Sequence, residues 1–506
     1  MQLRLPPGRV AVGTGVLAVL LVAGVAAAGD SAAVPGLGAA TWHPPWDAGL
    51  GLGSGLVTTL LVIAALLGTV TVALGLLALR RGARVDPRAV AVAALGAVLL
   101  LTAVPPLGSA DHLSYAAYGR IAAAGDDPYV VDPLQWRDGT DPVAGAVQPP
   151  WQHTRSVYGP VATAAQAVAA ELGHGSLRAT IWFWQLLAGA AFLATGFTLD
   201  RLTRHDPQAR GRAAVLWTLN PLLLSQLVLG AHMDVIAVAA AVGAIALAAR
   251  RPLWAGVLLG TAVGSKITFA VFGLAILWGL RHTPRPVWLH RVGLGVLGAF
   301  LVLVPAHLWS GPHTYDQLHQ ASRMVSLATP WRPLVDQLDP VFGGVVRTVV
   351  GPSALLLGLG LAALLARRLR TTAVGVGPDP DGGAVTADAA RAAVLVSLAW
   401  LLTTPYALPW YDAMAWGPLA LLAGTGTLDL VLLARLAVLT LAYVPGRVIG
   451  MSADVERLTL DFRREVAPWL ILAGSAAVLR WAWGRRTPTV AAVPRPEVPV
   501  PGHSRQ

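Results

Sequence analysis

The chain has 506 residues, 55% of them hydrophobic and only 12% charged, with 37 Lys and Arg against 26 Asp and Glu for a formal net charge of +11, and it contains no cysteine. A soluble protein of this length needs far more charge to stay in solution, so a soluble globular class is excluded, and the lack of cysteine excludes a disulfide framework and a thiol nucleophile. The Arg excess is not a nucleic-acid signal either, because it falls in short loops between apolar runs and not on a soluble basic face.

Apolar runs of about 20 residues recur from end to end, each long enough to cross a bilayer as a helix. They are continuously apolar and do not alternate, which disfavours a β-barrel. The first run, Val10 to Ala28, follows Arg4 and Arg9; it reads as a retained signal anchor with a cytoplasmic N-terminus, although Ala26-Ala27-Ala28 resembles a cleavage site. The loop Gly29 to Gly53 has no Lys or Arg, as an outer loop should. Leu56 to Leu79 returns to Arg80, Arg81, Arg84 and Arg88, and Ala89 to Pro106 goes out again, which places Asp111 on the outer side.

The segment Leu107 to Ser176 is acidic and aromatic, with amphipathic stretches at Leu113 to Ala124 and Val161 to Ala170. Both suit the membrane surface, and the second also suits a short embedded helix. Spans then alternate: Ile181 to Leu199 inward, Ala213 to Leu229 outward, Val235 to Ala249 inward. Pro252 to Leu280 has arginines at both ends, Arg250 and Arg251 before it and Arg281 after it. Two short helices in a tight hairpin with Gly264-Ser265-Lys266 at the tip satisfy both ends, and such a tip needs protein or a water-filled cavity around it.

Val292 to Trp309 leads to an outer loop, Ser310 to Arg347, and Ser353 to Ala366 returns to Arg367, Arg368 and Arg370. Gly375 to Asp388 reads as a flexible inner linker. Ala392 to Thr404 and Met414 to Ala423 flank the outer turn Pro405 to Asp412, and Val431 to Tyr443 and Val466 to Trp483 form the last pair. Pro445 to Glu465, with Arg447, Arg457, Arg463 and Arg464 interleaved with acids, reads as an amphipathic surface helix in an outer loop. The expected fold is therefore all-α: a polytopic transmembrane bundle of about 14 segments forming one domain over residues 1–483, followed by a Pro-rich, disordered tail over 484–506.

This threading gathers the unusual polar residues at outer ends of spans: Asp111, Arg120, Asp126, Asp127, His153, Arg155, His232, Asp234, Lys266 (the chain's single lysine), Arg323, Arg332 and Asp412. Trp151, Tyr158, Trp331, Tyr406, Trp410 and Tyr411 are interleaved with them. Aromatic rings cover the apolar faces of a sugar, carboxylates accept from its hydroxyls, and Arg or Lys pairs with phosphate oxygens. Ionisable side chains in an apolar chain are costly and mark function by default. Several also have structural alternatives. Asp111 suits a helix N-cap for Leu113 to Ala124, Gly125-Asp126-Asp127-Pro128 suits a turn better than a metal site, and Lys266 suits snorkelling to the interface. No His pair has helical metal-ligand spacing, so no metal is expected.

In order along the chain stand Asp111 with Ser114-Tyr115-Ala116-Ala117-Tyr118-Gly119-Arg120, Gly125-Asp126-Asp127-Pro128-Tyr129, Ser156-Val157-Tyr158-Gly159-Pro160, Asn220-Pro221 with Gly230-Ala231-His232-Met233-Asp234, Ser265-Lys266, and Pro405-Tyr406 with Pro409-Trp410-Tyr411. This ordered set resembles the GT-C superfamily of integral-membrane glycosyltransferases. More narrowly, it resembles actinobacterial polyprenol-phosphomannose-dependent α-1,6-mannosyltransferases. The resemblance implies a plasma-membrane enzyme with an outward-facing site. Its donor would be polyprenyl phosphomannose, with no cofactor. Its acceptor would be a mannoside of a lipid-linked cell-envelope glycan of the lipomannan or lipoarabinomannan type, extended by an α-1,6 linkage with inversion. Asp111 is then the expected general base. Lys266, Arg120, Tyr129, His153, Arg155, Tyr158, His232, Asp234, Arg323, Arg332, Trp410, Tyr411 and Asp412 are the expected donor-phosphate and substrate contacts. The alternatives are another polyprenyl-phosphate sugar such as arabinose, or a transporter or flippase. A transporter is disfavoured because the ionisable residues gather at one face and no internal repeat is evident.

Overall fold

All regular structure among the described residues of the computed structural model is helical. The structure describes residues 6–39, 41–369, 380–424, 426–446 and 449–484. In chain order the principal helices are α1 (Pro7–Ala27), α2 (Ser54–Arg80), α3 (Pro87–Thr102), α4 (Asp111–Ala123), α5 (Pro160–Leu172) and α6 (Leu177–Thr203). They continue with α7 (Pro207–Leu229), α8 (Asp234–Leu247), α9 (Pro252–Ser265), α10 (Ile267–Gly279), α11 (Arg285–Ser310) and α12 (Trp331–Phe342). The last are α13 (Val345–Arg368), α14 (Pro380–Thr403), α15 (Ala413–Leu419), α16 (Thr427–Ala442) and α17 (Ala453–Trp483).

Among the described residues, eight helices are long and apolar enough to cross a membrane: α1, α2, α6, α7, α11, α13, α14 and α17. α3, α8, α9 and α10 are apolar but shorter. Most of the distance between these eight and the expected fourteen thus lies in short helices, among them the seven-residue α15. α11 shows the lipid-facing pattern most clearly, with Phe300, Leu301 and Leu308 all exposed. Such a surface is tolerable only in an apolar solvent, because backbone groups are satisfied within the helix and the side chains need no water.

Three local features differ from the sequence reading. Residues 380–388 are not a linker: they form the start of α14, while 375–379, like Arg370, lie outside the described residues. Two glycines in succession weaken a helix, but burial of Val385, Ala387, Ala389 and Ala390 and the Arg281–Asp388 ion pair at 2.7 Å outweigh that cost. The stretch 453–465 is not a separate surface helix, because it runs through a π-turn into the last span as α17. Its Arg463 is buried over the Tyr443 ring at 4.4 Å, and Arg447 lies outside the described residues. The tail beyond Gly484 also lies outside them.

The break at Lys266 is present, with its backbone extended between α9 and α10. The two short helices pack on different neighbours: α9 on α8 and α11, and α10 on α14. α4 and α5 pack on each other, and nine of the thirteen residues of α4 are buried. α4 is therefore enclosed in protein over most of its circumference.

Close backbone approach sets the α9–α11 contact. A Cβ on Gly256 would fall on the Gly295 carbonyl, and one on Gly298 on the Leu253 carbonyl. Small residues allow this approach between membrane helices, where van der Waals packing supplies the attraction. Gly256→Ala is therefore expected to lower stability by about 1–3 kcal/mol through overpacking. Gly360→Ala on α13 meets open space and should be neutral or stabilising by about 0.5–1 kcal/mol. Thermal unfolding of the two variants in detergent checks the contrast.

Candidate active site

Four chain segments meet at one end of the bundle: the start of α4, the α7–α8 junction, the α9–α10 break, and the turn after α14. Each arrives there for a local reason. The Asn220 side chain accepts from Leu222 and Leu223 N–H, so α7 restarts at Pro221 and does not end there. α7 then closes at Gly230-Ala231, where Ala231 adopts φ +52° and its carbonyl accepts the Trp184 indole N–H at 2.8 Å. That turn delivers His232 and Asp234. Gly159 sits so close to Gly264 that a Cβ would touch its carbonyl, and the Gly159 N–H donates to the Ser265 carbonyl at 3.1 Å. The Ser156–Pro160 motif thereby clamps the broken end that carries Lys266. The Pro405–Asp412 turn is latched from the loop before α12. Ser326 bonds the Pro405 and Ala407 backbone, and the Trp331 indole donates to the Thr403 carbonyl at 2.7 Å.

The Lys266 ammonium lies 2.6 Å from Asp234 Oδ1 and 3.4 Å from the centre of the Tyr411 ring. It is held by a charge-assisted hydrogen bond and a cation–π contact, not snorkelling to an interface. His232 is buried and stacked on Trp410 at 3.6 Å with 14° between the planes. Asp111 Oδ2 is 3.8 Å from His232 Nε2, and the Asp111 side chain retains 18% exposure. Burial pushes the His232 imidazole down to about 3, so it is neutral and offers Asp111 no counter-charge. Burial, and secondarily the Asp234 carboxylate, push the Asp111 carboxyl up to about 7, against the weaker opposing pull of the Lys266 ammonium. The N-cap alternative for Asp111 does not hold: its carboxylate makes no cap hydrogen bond, and Ser109 Oγ accepts the Asp111 N–H instead.

Of the residues expected from sequence, the structure brings together Asp111, Tyr158, His232, Asp234, Lys266, Trp410 and Tyr411. Tyr158 enters through Tyr115, whose ring meets it edge-on at 5.1 Å. The others have separate settings. Arg120 pairs with Asp141 at 3.1 Å, and Tyr129 Oη shares a hydrogen bond with Thr163 at 2.7 Å. His153 is exposed beside Asp132 at 3.7 Å, and Arg332 pairs with Asp336 at 2.9 Å. Arg323 is exposed, and Arg155 is half-buried. Asp412 turns away to a buried pair with Arg435 at 3.1 Å, which anchors the turn to α16. Gly125-Asp126-Asp127 is a turn, with Asp126 accepting from the Trp136 indole and Asp127 from the Tyr129 N–H.

Sequence reasoning did not single out Ser109, Trp184 or Tyr443, nor Tyr115 outside its motif. Tyr115 is one turn from Asp111 on the same face of α4, a spacing that carries the signal. Its hydroxyl is buried, flanked by Asp111 and Tyr158, and closes no hydrogen bond of normal geometry. Among the described residues, no three His, Cys, Asp or Glu side chains are grouped as metal ligands.

Fold and site together define a polytopic helical membrane protein with a carboxylate–lysine–aromatic cluster at one end of its bundle. The chain belongs to the family described as alpha-(1->6)-mannopyranosyltransferase, whose N-terminal domain model matches residues 11–281. It is 32% identical over 185 residues to alpha-(1->6)-mannopyranosyltransferase A of Mycobacterium tuberculosis, covering 35% of this chain and 34% of that protein. It is 30% identical over 138 residues to alpha-(1->6)-mannopyranosyltransferase B of Corynebacterium glutamicum, covering 27% and 23%. Against alpha-(1->6)-mannopyranosyltransferase A of the same organism it is 24% identical over 191 residues, covering 37% and 38%. The matched stretches thus span about a quarter to two-fifths of these relatives' lengths. No solved structure matches the chain significantly.

Removing one partner of a buried pair leaves an uncompensated charge. Lys266→Met should cost about 3–5 kcal/mol of stability, and adding Asp234→Leu should recover most of it. Thermal unfolding of both variants in detergent measures the difference.

Proposed function

We propose that the chain transfers a mannosyl residue from polyprenyl phosphomannose to a mannoside acceptor of a lipid-linked cell-envelope glycan. The bond formed is an α-1,6 linkage, made with inversion at an outward-facing site of the plasma membrane. The observation that carries this reading is the Asp111 carboxyl, pushed up to about 7 and partly exposed, beside the Lys266–Asp234 pair. Membership of the mannopyranosyltransferase family and the names of its relatives supply the sugar and the linkage.

The acceptor 6-hydroxyl attacks the anomeric carbon of a β-linked donor. Its proton passes to Asp111 as the new C–O bond forms and the C–O bond to phosphate breaks. A base whose pKa is near the working pH is the most effective one. The leaving polyprenyl phosphate departs as an anion and needs a cation, not an acid. Lys266 supplies that cation: a phosphate oxygen replaces or joins the Asp234 oxygen on the ammonium, while Tyr411 and Trp410 flank the sugar. The lipid phosphate stays at the membrane boundary and the acceptor enters from the water side. No metal is invoked, because Lys266 meets the charge that develops.

The Arg-bearing ends of the same helices support the facing. α7 carries Arg212, paired with Asp429 at 2.7 Å, in its first turns and ends at Leu229, just before the turn that delivers His232. This span of 23 residues, broken at Asn220, carries arginines in its first turns and leads to the cluster at its other end, which supports opposite membrane faces for the two. Arginines mark the cytoplasmic side.

In membranes, Asp111→Asn should lower mannosyl transfer at least about 100-fold with normal protein level. Undiminished transfer by that variant would remove Asp111 as the base. Since the base must be ionised, wild-type kcat/KM, which reports the free enzyme, should be full above about 7 and fall as pH drops through that value. A rate profile from pH 5 to 9, with radiolabelled donor and a short α-1,6-mannoside acceptor, measures this. A flat profile would contradict it.

A further inference from the structure

Both nitrogens of His232 are committed, which is unusual for a residue expected to touch substrate. The Gln226 carbonyl can only accept, so Nδ1 carries the proton toward it. In the neutral ring Nε2 is then the acceptor, and the Ser109 hydroxyl lies 2.8 Å from it. Ser109 Oγ in turn accepts the Asp111 backbone N–H at 3.2 Å. The ring is closely packed: Trp410 stacks on one face, and Nδ1 lies against Gly230 in space that a Cβ would fill. Ala231, next to it, is held in the left-handed region at φ +52°, a conformation costly for a residue with a Cβ. The Trp184 bond to the Ala231 carbonyl holds it there. Strain of this kind persists where surrounding contacts over-determine the backbone, typically at a functional site.

We propose that His232 is a positioning residue: it acts as a fixed hydrogen-bond acceptor that orients Ser109, and through Ser109 it holds the first turn of α4 so that the Asp111 carboxylate points at the acceptor hydroxyl. Gln226, His232, Ser109 and Asp111 thus form a relay of orientation. His232 itself meets neither the sugar nor the phosphate. The inference rests on the base role proposed for Asp111. It explains why a buried imidazole stands next to a carboxylate without neutralising it: a charged imidazole would pair with Asp111 and disable it as a base.

The test uses the full chain in nanodiscs with polyprenyl phosphomannose and the mannoside acceptor, comparing wild type with His232→Leu, Ser109→Ala, the double variant and His232→Gln. The relay predicts that each single variant loses about 10–100-fold in kcat, with KM for both substrates within about twofold. It predicts that the double variant is no worse than either single one, because both cut one chain. Glutamine, whose amide offers N–H donors to the Gln226 carbonyl and an oxygen acceptor to Ser109, should restore most of the rate. A KM increase of about tenfold, multiplicative losses, or a His232→Gln variant as slow as His232→Leu at normal protein level would overturn the proposal. A second readout needs no turnover: nitrogen NMR of labelled histidine should show His232 protonated at Nδ1, with an Nε2 signal that moves in Ser109→Ala. Protonation at Nε2 would overturn the relay. Should wild type transfer no mannose at all, the proposed function falls, and the NMR result alone decides whether the relay exists.

Discussion

The ion pair between Lys266 and Asp234 is the constraint on which the rest of this architecture depends. A single lysine in an apolar bundle is costly, and it is tolerated because a carboxylate at 2.6 Å and the face of Tyr411 meet its charge. To reach them, the helix after Pro252 must stop at Ser265 and restart, with extended backbone between. That break is held by Gly159 against Ser265, and Gly159 brings with it the Tyr158 ring. Asp234 must in turn begin a helix at the same level, which the turn at Gly230-Ala231 achieves.

Around this pair the bundle sorts charge by face. Arg80, Arg212, Arg281 and Arg368 sit at helix ends away from the cluster, and two of them are neutralised by Asp429 and Asp388. Within the cluster itself the charges are few and lie against aromatic rings, Lys266 on Tyr411 and His232 on Trp410. Such a site combines low dielectric, which strengthens each electrostatic contact, with rings that can cover the faces of a sugar. The two acids diverge in role through their surroundings. Asp234 is tied directly to an ammonium, whereas the Asp111 carboxylate stands beside a neutral imidazole.

Much of this was legible in the sequence where physical cost made it so. Asp111, His232, Asp234 and Lys266 stand out because ionisable groups at the ends of apolar runs need a reason to be there, and Trp410-Tyr411 because they interrupt a turn between two spans. What was not legible has equally specific causes. Ser109 and the Gln226 carbonyl act through a small side chain and a backbone group, which leave no pattern. Arg120, Tyr129 and Asp412 stand out by type, but their partners do not. They bond locally to Asp141, Thr163 and Arg435, partners far enough along the chain that no spacing rule joins them. The helix over 382–388 formed against its glycine content because burial against α10 decides there.

The most direct measurement is a cryo-EM structure of the full chain in nanodiscs with polyprenyl phosphomannose bound. The account predicts the donor phosphate on the Lys266 ammonium, the mannose between Tyr411 and Trp410, and its anomeric carbon open to a hydroxyl lying against Asp111. Donor density elsewhere, with the Lys266–Asp234 pair unchanged and out of contact with the phosphate, would contradict it.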